Sequence, residues 1–343
     1  MLYILVALSS AALFGAATPF SKALLSSFDA FQLAGLLYLG AAIGSCGLAF
    51  RKRPYTLPWQ MDRRNQIRLI GAVCFGGALA PLLLLLGLKV ASAASVSLWL
   101  PLELVATAIL GTLLFRDHLG RFGWIGMAGV IAAGALLSVG EKNAGISAGL
   151  LVMGACACWG FDNNFTALID GITPAQSTFW KGLVAGTVNL TIGLVSQDYA
   201  GTTGTTAAAL GVGVICYGAS IVLYITAAQN IGATRGQMFF AASPFFGVVL
   251  SIALLGESIT VIQLAAAAIL AGSLLLVFRD RHDHEHFHDE QEHEHSHQHH
   301  DGHHEHEHLE IVPGRHTHKH KHVPVTHRHP HWPDLHHRHD HRV

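Results

Sequence analysis

The chain has 343 residues, 51% of them hydrophobic and 13% charged, with a formal net charge of -1 at pH 7. That balance argues against the basic surface of a nucleic-acid-binding protein, and no nucleic-acid partner is expected. Its five cysteines all lie within apolar runs, which argues against a disulfide framework.

Up to Phe278 the apolar residues gather into ten runs, near residues 2–24, 30–50, 67–88, 92–115, 122–139, 147–169, 174–196, 207–229, 237–255 and 260–278. Each approaches the roughly 20 helical residues that cross a hydrocarbon core of about 30 Å. The expected fold class is an all-α polytopic membrane protein of ten transmembrane helices, with the lipid bilayer as its surroundings. The first run lacks a basic leader and a convincing cleavage site, and reads as a retained helix.

In chain order, the second run carries Gly40-x-x-x-Gly44, a spacing that permits close helix approach. The connection after it holds Arg51, Lys52, Arg53, Arg63, Arg64 and Arg68, which assigns it to the cytoplasm and the N-terminus with it. Lys22 and Lys89, near the opposite ends of their runs, are expected to snorkel to the interface. The fourth run contains Pro101, read as a helix break, and Glu103 near its middle, where a charge costs about 2.5 to 3.5 kcal/mol on insertion scales. Glu103 is therefore a candidate proton or substrate-cation site, against the alternative of a protonated structural glutamate beside the break.

The sixth run carries Trp159-Gly160 and then Asp162, Asn163 and Asn164; the seventh carries Lys181. Asp162 and Lys181 each fall about four residues, or 6 Å, to the cytoplasmic side of their midpoints, so the two can meet. They are either a salt bridge that locks the second half or a site that opens when solute competes for one partner. Asn189 and Gln237 read as packing amides. The ninth run holds Pro244, a second expected break, and Glu257 follows it at a position suited to a cap. Arg116, Arg121, Arg235, Arg279 and Arg281 fit the same orientation, whereas the loop SQDYAGTTGTT has no basic residue.

Phe14-Gly15 and Phe20-Ser21 are echoed by Trp159-Gly160 and Phe165-Thr166, and Pro101 by Pro244. Five helices per half would make the second copy enter the membrane inverted. On Trp159-Gly160, Pro101, Pro244 and Leu255-Gly256-Glu257-Ser258-Ile259-Thr260 the chain resembles the drug/metabolite transporter superfamily, in particular its EamA-type members. The equivalent first-half stretch reads Phe115-Arg116-Asp117-His118-Leu119 and lacks the Gly-Glu pair. The resemblance implies two five-helix repeats, 1–139 and 140–280, and exchange- or proton-driven movement of small solutes through a cavity between them.

Beyond residue 280 the chain changes character. Of its 25 histidines, 24 lie between His282 and Val343, mostly as His-x-His. The region 281–343 is expected to be a disordered cytoplasmic tail, since its apolar content is low and it carries Pro313, Pro324, Pro330 and Pro333. From His282 to Glu310 it has ten acids and no Lys or Arg; from Ile311 onward it has six basic residues and could touch anionic lipid or fold back. The candidate metal ligands are therefore His282, His284, His286, His288, His293, His295, His297, His299, His300, Asp301, His303, His304, His306 and His308. Without thiolates they suit Zn, Ni, Co or Cu(II) better than Cu(I).

No phosphate loop or nucleophile-base set stands out, so neither an enzyme nor a cofactor in the membrane part is expected. The leading expectation is a secondary transporter of a small solute in a bacterial inner membrane, exporting a divalent metal or its chelate, with a homodimer open. The alternatives are an amino-acid or amine transporter whose tail senses or buffers metal, and a metal-binding membrane protein that moves none.

Overall fold

The computed structural model describes residues 2–51, 56–114, 119–140 and 145–279, together with 283–288, 292–297, 316–321 and 325–330 of the tail. Phe115 to His118 therefore lie outside the described residues, as do Lys52, Arg53 and Arg281.

Residues 2–279 form helices α1 (Leu2–Gly15), α2 (Ala17–Leu24), α3 (Ala30–Ala49), α4 (Arg63–Gly71), α5 (Ala80–Val90), α6 (Ala93–Trp99), α7 (Leu102–Leu114), α8 (Arg121–Gly140), α9 (Gly145–Ala167), α10 (Pro174–Ser196), α11 (Thr203–Val212), α12 (Ser220–Ile231), α13 (Ala233–Phe240), α14 (Ser243–Leu255) and α15 (Val261–Arg279). Several join end to end, and nine spans among the described residues are long and apolar enough to cross a membrane. The seventh expected run is the 23-residue α10. It is less apolar than those nine because Gln176, Lys181 and Asn189 interrupt it, and all three are buried. Many large apolar side chains face outward, among them Ile43, Val139, Val195 and Val261, as a lipid-facing surface requires.

The ends of the helices are set by local chemistry. Asp29, Asp62, Ser92, Thr173 and Thr202 occupy N-cap positions and accept hydrogen bonds from backbone N–H groups of the first turn. The cap at Thr202 starts α11 four residues before the expected run, and α13 likewise begins before residue 237, early enough to enclose Arg235. Pro101 directly precedes α7, and Pro244 sits in the first turn of α14, so in both cases the chain stops being helical just before a residue that cannot donate backward.

Two segments wind as π-helix: Ala72–Leu79 between α4 and α5, and Gly213–Ala219 between α11 and α12. The second starts 141 residues after the first, at Gly213 against Ala72. Glycine lets the central helices close on one another. A methyl group at Gly182 would fall 2.6 Å from Tyr38 O, one at Gly186 2.7 Å from Leu39 N, and one at Gly40 2.4 Å from Leu210 O. Helices α3 and α10 thus meet backbone to backbone, and the Gly40-x-x-x-Gly44 face receives the second π segment.

Residues 281–331 form a separate unit. Its composition suggested a chain without fixed structure, but four short strands are present: β1 (Asp283–His288), β2 (Glu292–His297), β3 (His316–Lys321) and β4 (Val325–Pro330). Strand β1 pairs antiparallel with β4, and β2 with β3. The period-two His-x-His pattern suits a strand, and the register sets Glu292 opposite Lys321 and Glu294 opposite Lys319. The same register sets His293 opposite His320, His295 opposite His318 and His297 opposite His316. His282, His299, His300, Asp301, His303, His304, His306 and His308 lie outside the described residues.

Candidate functional site

The site begins with charges that apolar helices ordinarily exclude. Glu103 follows the Pro101 break in the first turn of α7, Asp162 and Asn163 lie in the second half of α9, and Lys181 lies two turns into α10. Packing brings them to one cavity of about 30 Å³, whose walls are the aromatic rings of Phe14, Tyr38, Trp159, Tyr224 and Phe240. That volume is on the scale of about two water molecules.

Lys181 Nζ donates to Asp162 Oδ2 at 2.6 Å. Asp162 Oδ1 is buried and has no hydrogen-bond partner. On the neighbouring position, Asn163 Nδ2 donates to Glu103 Oε1 at 2.8 Å, Thr107 Oγ1 at 3.0 Å and Gln237 Oε1 at 3.3 Å. The Tyr224 hydroxyl, also at the cavity wall, is buried and unpartnered. The cavity therefore presents one tied ion pair, one carboxyl held by an amide, and an open acceptor and an open hydroxyl.

The first π segment shapes this site. An added Cβ at Gly76 would lie 2.0 Å from Asp162 Oδ2, so the carboxylate rests against bare backbone. Gly76 O accepts from Tyr38 Oη and, at 3.3 Å, from Trp159 Nε1. Asn189 Nδ2 donates to Ala78 O of the same segment at 3.1 Å. Phe14 connects the two halves of the wall, its ring meeting Trp159 and Tyr217 edge-on at 5.7 Å and Phe240 at 5.1 Å.

Of the residues singled out in the sequence, Glu103, Asp162, Asn163 and Lys181 converge. Asn164 turns away: its Nδ2 donates to Gly160 O at 2.9 Å and Thr107 O at 3.1 Å, tying α9 to α7. Gln237, read as a packing amide, instead reaches the Asn163 cluster. Glu257 is a cap, its two oxygens accepting from Ala93 N and Ala94 N at 2.9 Å each, at the start of α6. The Lys22 ammonium donates to Leu88 O and Ala91 O at the end of α5. Among the described residues, no three His, Cys, Asp or Glu side chains gather as a metal site.

The model of the EamA-like transporter family matches residues 1–139 and 146–279. The chain belongs to the EamA-like transporter family. A polar cavity enclosed by membrane-spanning helices is what a transporter requires, and this EamA-like chain is an integral membrane transporter rather than a member of an enzyme family. An uncharacterized transporter of Methanothermobacter thermautotrophicus is 26% identical over 241 residues, which is 65% of this chain and 67% of that one. A solved structure described only as "Crystal structure of protein" is similar to this EamA-like chain with a TM-score of 0.60. It covers 80% of this chain and 95% of its own at 13% identity, a likeness of fold alone.

Proposed function

We propose that this chain is a secondary transporter that exports a small dipolar solute, with Glu103 carrying a coupling proton and Asp162 and Lys181 holding the solute. The observation that carries this reading is the sealed Asp162–Lys181 pair beside an unpartnered Asp162 oxygen. Separating a buried pair strands both charges, at a cost of about 3 to 5 kcal/mol when one partner is removed. A monocation would satisfy Asp162 and strand Lys181; a monoanion would do the reverse. A molecule bearing both an ammonium and a carboxylate satisfies both, so an amino-acid-like solute fits best, with the aromatic walls accepting its apolar part.

Cytoplasmic termini follow from the basic connection between α3 and α4 if α10 completes a set of ten membrane helices. The two stretches matched by the family model, and the π segments at corresponding places, support two repeats with opposite orientations. A bacterial inner membrane suits that arrangement. The tail binds Zn, Ni, Co or Cu(II) in this scheme, and the backbone register that pairs His293 with His320 and His295 with His318 supports chelation within one tail. Transport of the metal itself, free or as a chelate, is a separate reading motivated by the 24 histidines of the tail.

The test is counterflow of amino acids in proteoliposomes, run beside metal tolerance and accumulation in cells. Wild type, Glu103→Gln and a truncation after Asp280 are compared. Amino-acid exchange by wild type and by the truncation supports the dipolar-solute reading. Its absence, with metal tolerance lost in both variants, would replace it with metal export.

A further inference from the structure

Eight buried side-chain polar atoms among the described residues have no hydrogen-bond partner. Asp162 Oδ1 and the Tyr224 hydroxyl face the cavity. Four of the others, on Thr18, Ser21, Ser97 and Tyr217, lie on α2, α6 and the second π segment. Ser21 lies beside Tyr217, and the Tyr217 ring contacts Phe14 of the cavity wall. Gly247 links the rest of this seam, since a methyl group there would meet Ser97 Oγ at 2.5 Å and Gly15 O at 3.0 Å.

Helical serines and threonines seldom stay unpaired, because the carbonyl four residues back is always within reach. Thr112, Thr166, Thr178, Ser251 and Ser273 all use it here. Thr18, Ser21 and Ser97 do not, although all three are completely buried. A hydroxyl left unsatisfied in a dry interior costs about 1 to 3 kcal/mol. Ser21 has the Tyr217 hydroxyl beside it, but Thr18 and Ser97 have no partner and are explained when water or solute satisfies them in another conformation.

The mouth of the seam is fastened by charge. Lys22 holds the α5 terminus through Leu88 O and Ala91 O, and Glu257 holds the first two N–H groups of α6. Gln263 Nε2 adds bonds to Ser92 Oγ at 3.2 Å and Ser95 Oγ at 2.8 Å. Gly256, with φ 65°, makes the left-handed turn that delivers Glu257. The latch therefore ties α2 to the α5–α6 connection and α6 to the α14–α15 connection.

We infer that Thr18, Ser21 and Ser97 line the closed solute passage between the cavity and the membrane face at the α5–α6 connection, with Lys22 and Glu257 as its latch. This rests on the transporter reading but not on the identity of the solute.

The experiment is cysteine accessibility in the full chain, with the five native cysteines replaced by alanine. Thr18→Cys and Ser97→Cys are exposed to a membrane-impermeant maleimide from each face, with and without Glu257→Ala or, as a second latch variant, Lys22→Met. Exposed Ser26→Cys reports the rim, and Ala148→Cys, in a dry contact, reports the background. Labelling of both seam positions from one face, rising about tenfold when a charge-assisted bond of the latch is removed, is the expected result. Labelling no faster than Ala148→Cys in every background, with Ser26→Cys reactive, overturns the passage; labelling that neither latch variant changes overturns the latch. If the seam labels while no amino acid exchanges, the passage stands and the dipolar solute falls.

Discussion

Lys181 Nζ and Asp162 Oδ2 stand 2.6 Å apart, with side-chain exposures of 2% and 6%. Two charges so thoroughly removed from water depend on each other. Lys181→Met and Asp162→Asn should therefore each destabilise the purified protein by about 3 to 5 kcal/mol. Thermal unfolding in detergent measures this. The double variant should recover much of the stability yet exchange no solute, because a neutral pair offers nothing for solute to displace. Transport retained by the double variant would assign the pair to structure alone.

Glu103→Gln keeps the shape of the side chain and an acceptor for Asn163, but cannot release a proton. Proteoliposomes carrying it should lose uptake driven by a pH gradient while keeping solute counterflow. Equal loss of both would mean that Glu103 contacts solute rather than coupling its movement to protons.

Gly76→Ala places a methyl group against Asp162 Oδ2, where the ideal position is only 2.0 Å away. Something must shift, at a cost of about 1 to 3 kcal/mol for overpacking, and the carboxylate is the nearest atom. Counterflow should fall sharply. Gly47→Ala, in α3 with nothing within 4 Å of its added Cβ, is the matched control and should leave counterflow unchanged.

Truncation after Asp280 should leave the helical unit folded and solute exchange intact while removing high-capacity metal binding. Titration calorimetry with Zn²⁺ or Ni²⁺ on both proteins reads this directly. Below about pH 6.5 the full-length tail should release its metal, since protonated imidazole has no free lone pair and repels cations. A chelator should likewise strip the tail without unfolding the helices, as circular dichroism would report.

The helical spans were legible because apolar length is a strong signal, and so were Glu103, Asp162 and Lys181, because a charge inside such a span is conspicuous. Three consecutive polar residues, 162 to 164, could not share one face of a helix that turns about 100° per residue. The sequence did not say which would point where, and Asn164 went to backbone. The aromatic wall was hidden for a different reason. Phe14, Tyr38, Tyr224 and Phe240 look like packing residues until the helices are assembled. Glu257 had been read as a cap, but its partner lay over 160 residues away in α6, beyond any local pattern. In the tail, the complementary charges of the two parts hinted at folding back, and β-pairing supplied the register.

The π segments were written in the spacing of buried residues. Ala72, Gly76, Ala80, Leu84 and Leu88 recur every fourth position and are all buried. In an unbroken α-helix each such step drifts by about 40°, which would carry the last of them to the lipid side. One extra residue in a wide turn absorbs about a residue's worth of that rotation. Each π segment is in this sense a phase corrector, keeping a stripe of the wrong period facing inward. Deleting a single residue between Ala72 and Leu79 would heal the helix and leave Leu84 and Leu88 facing the core, erasing the wide turn that Asp162 rests against while sparing the packing downstream.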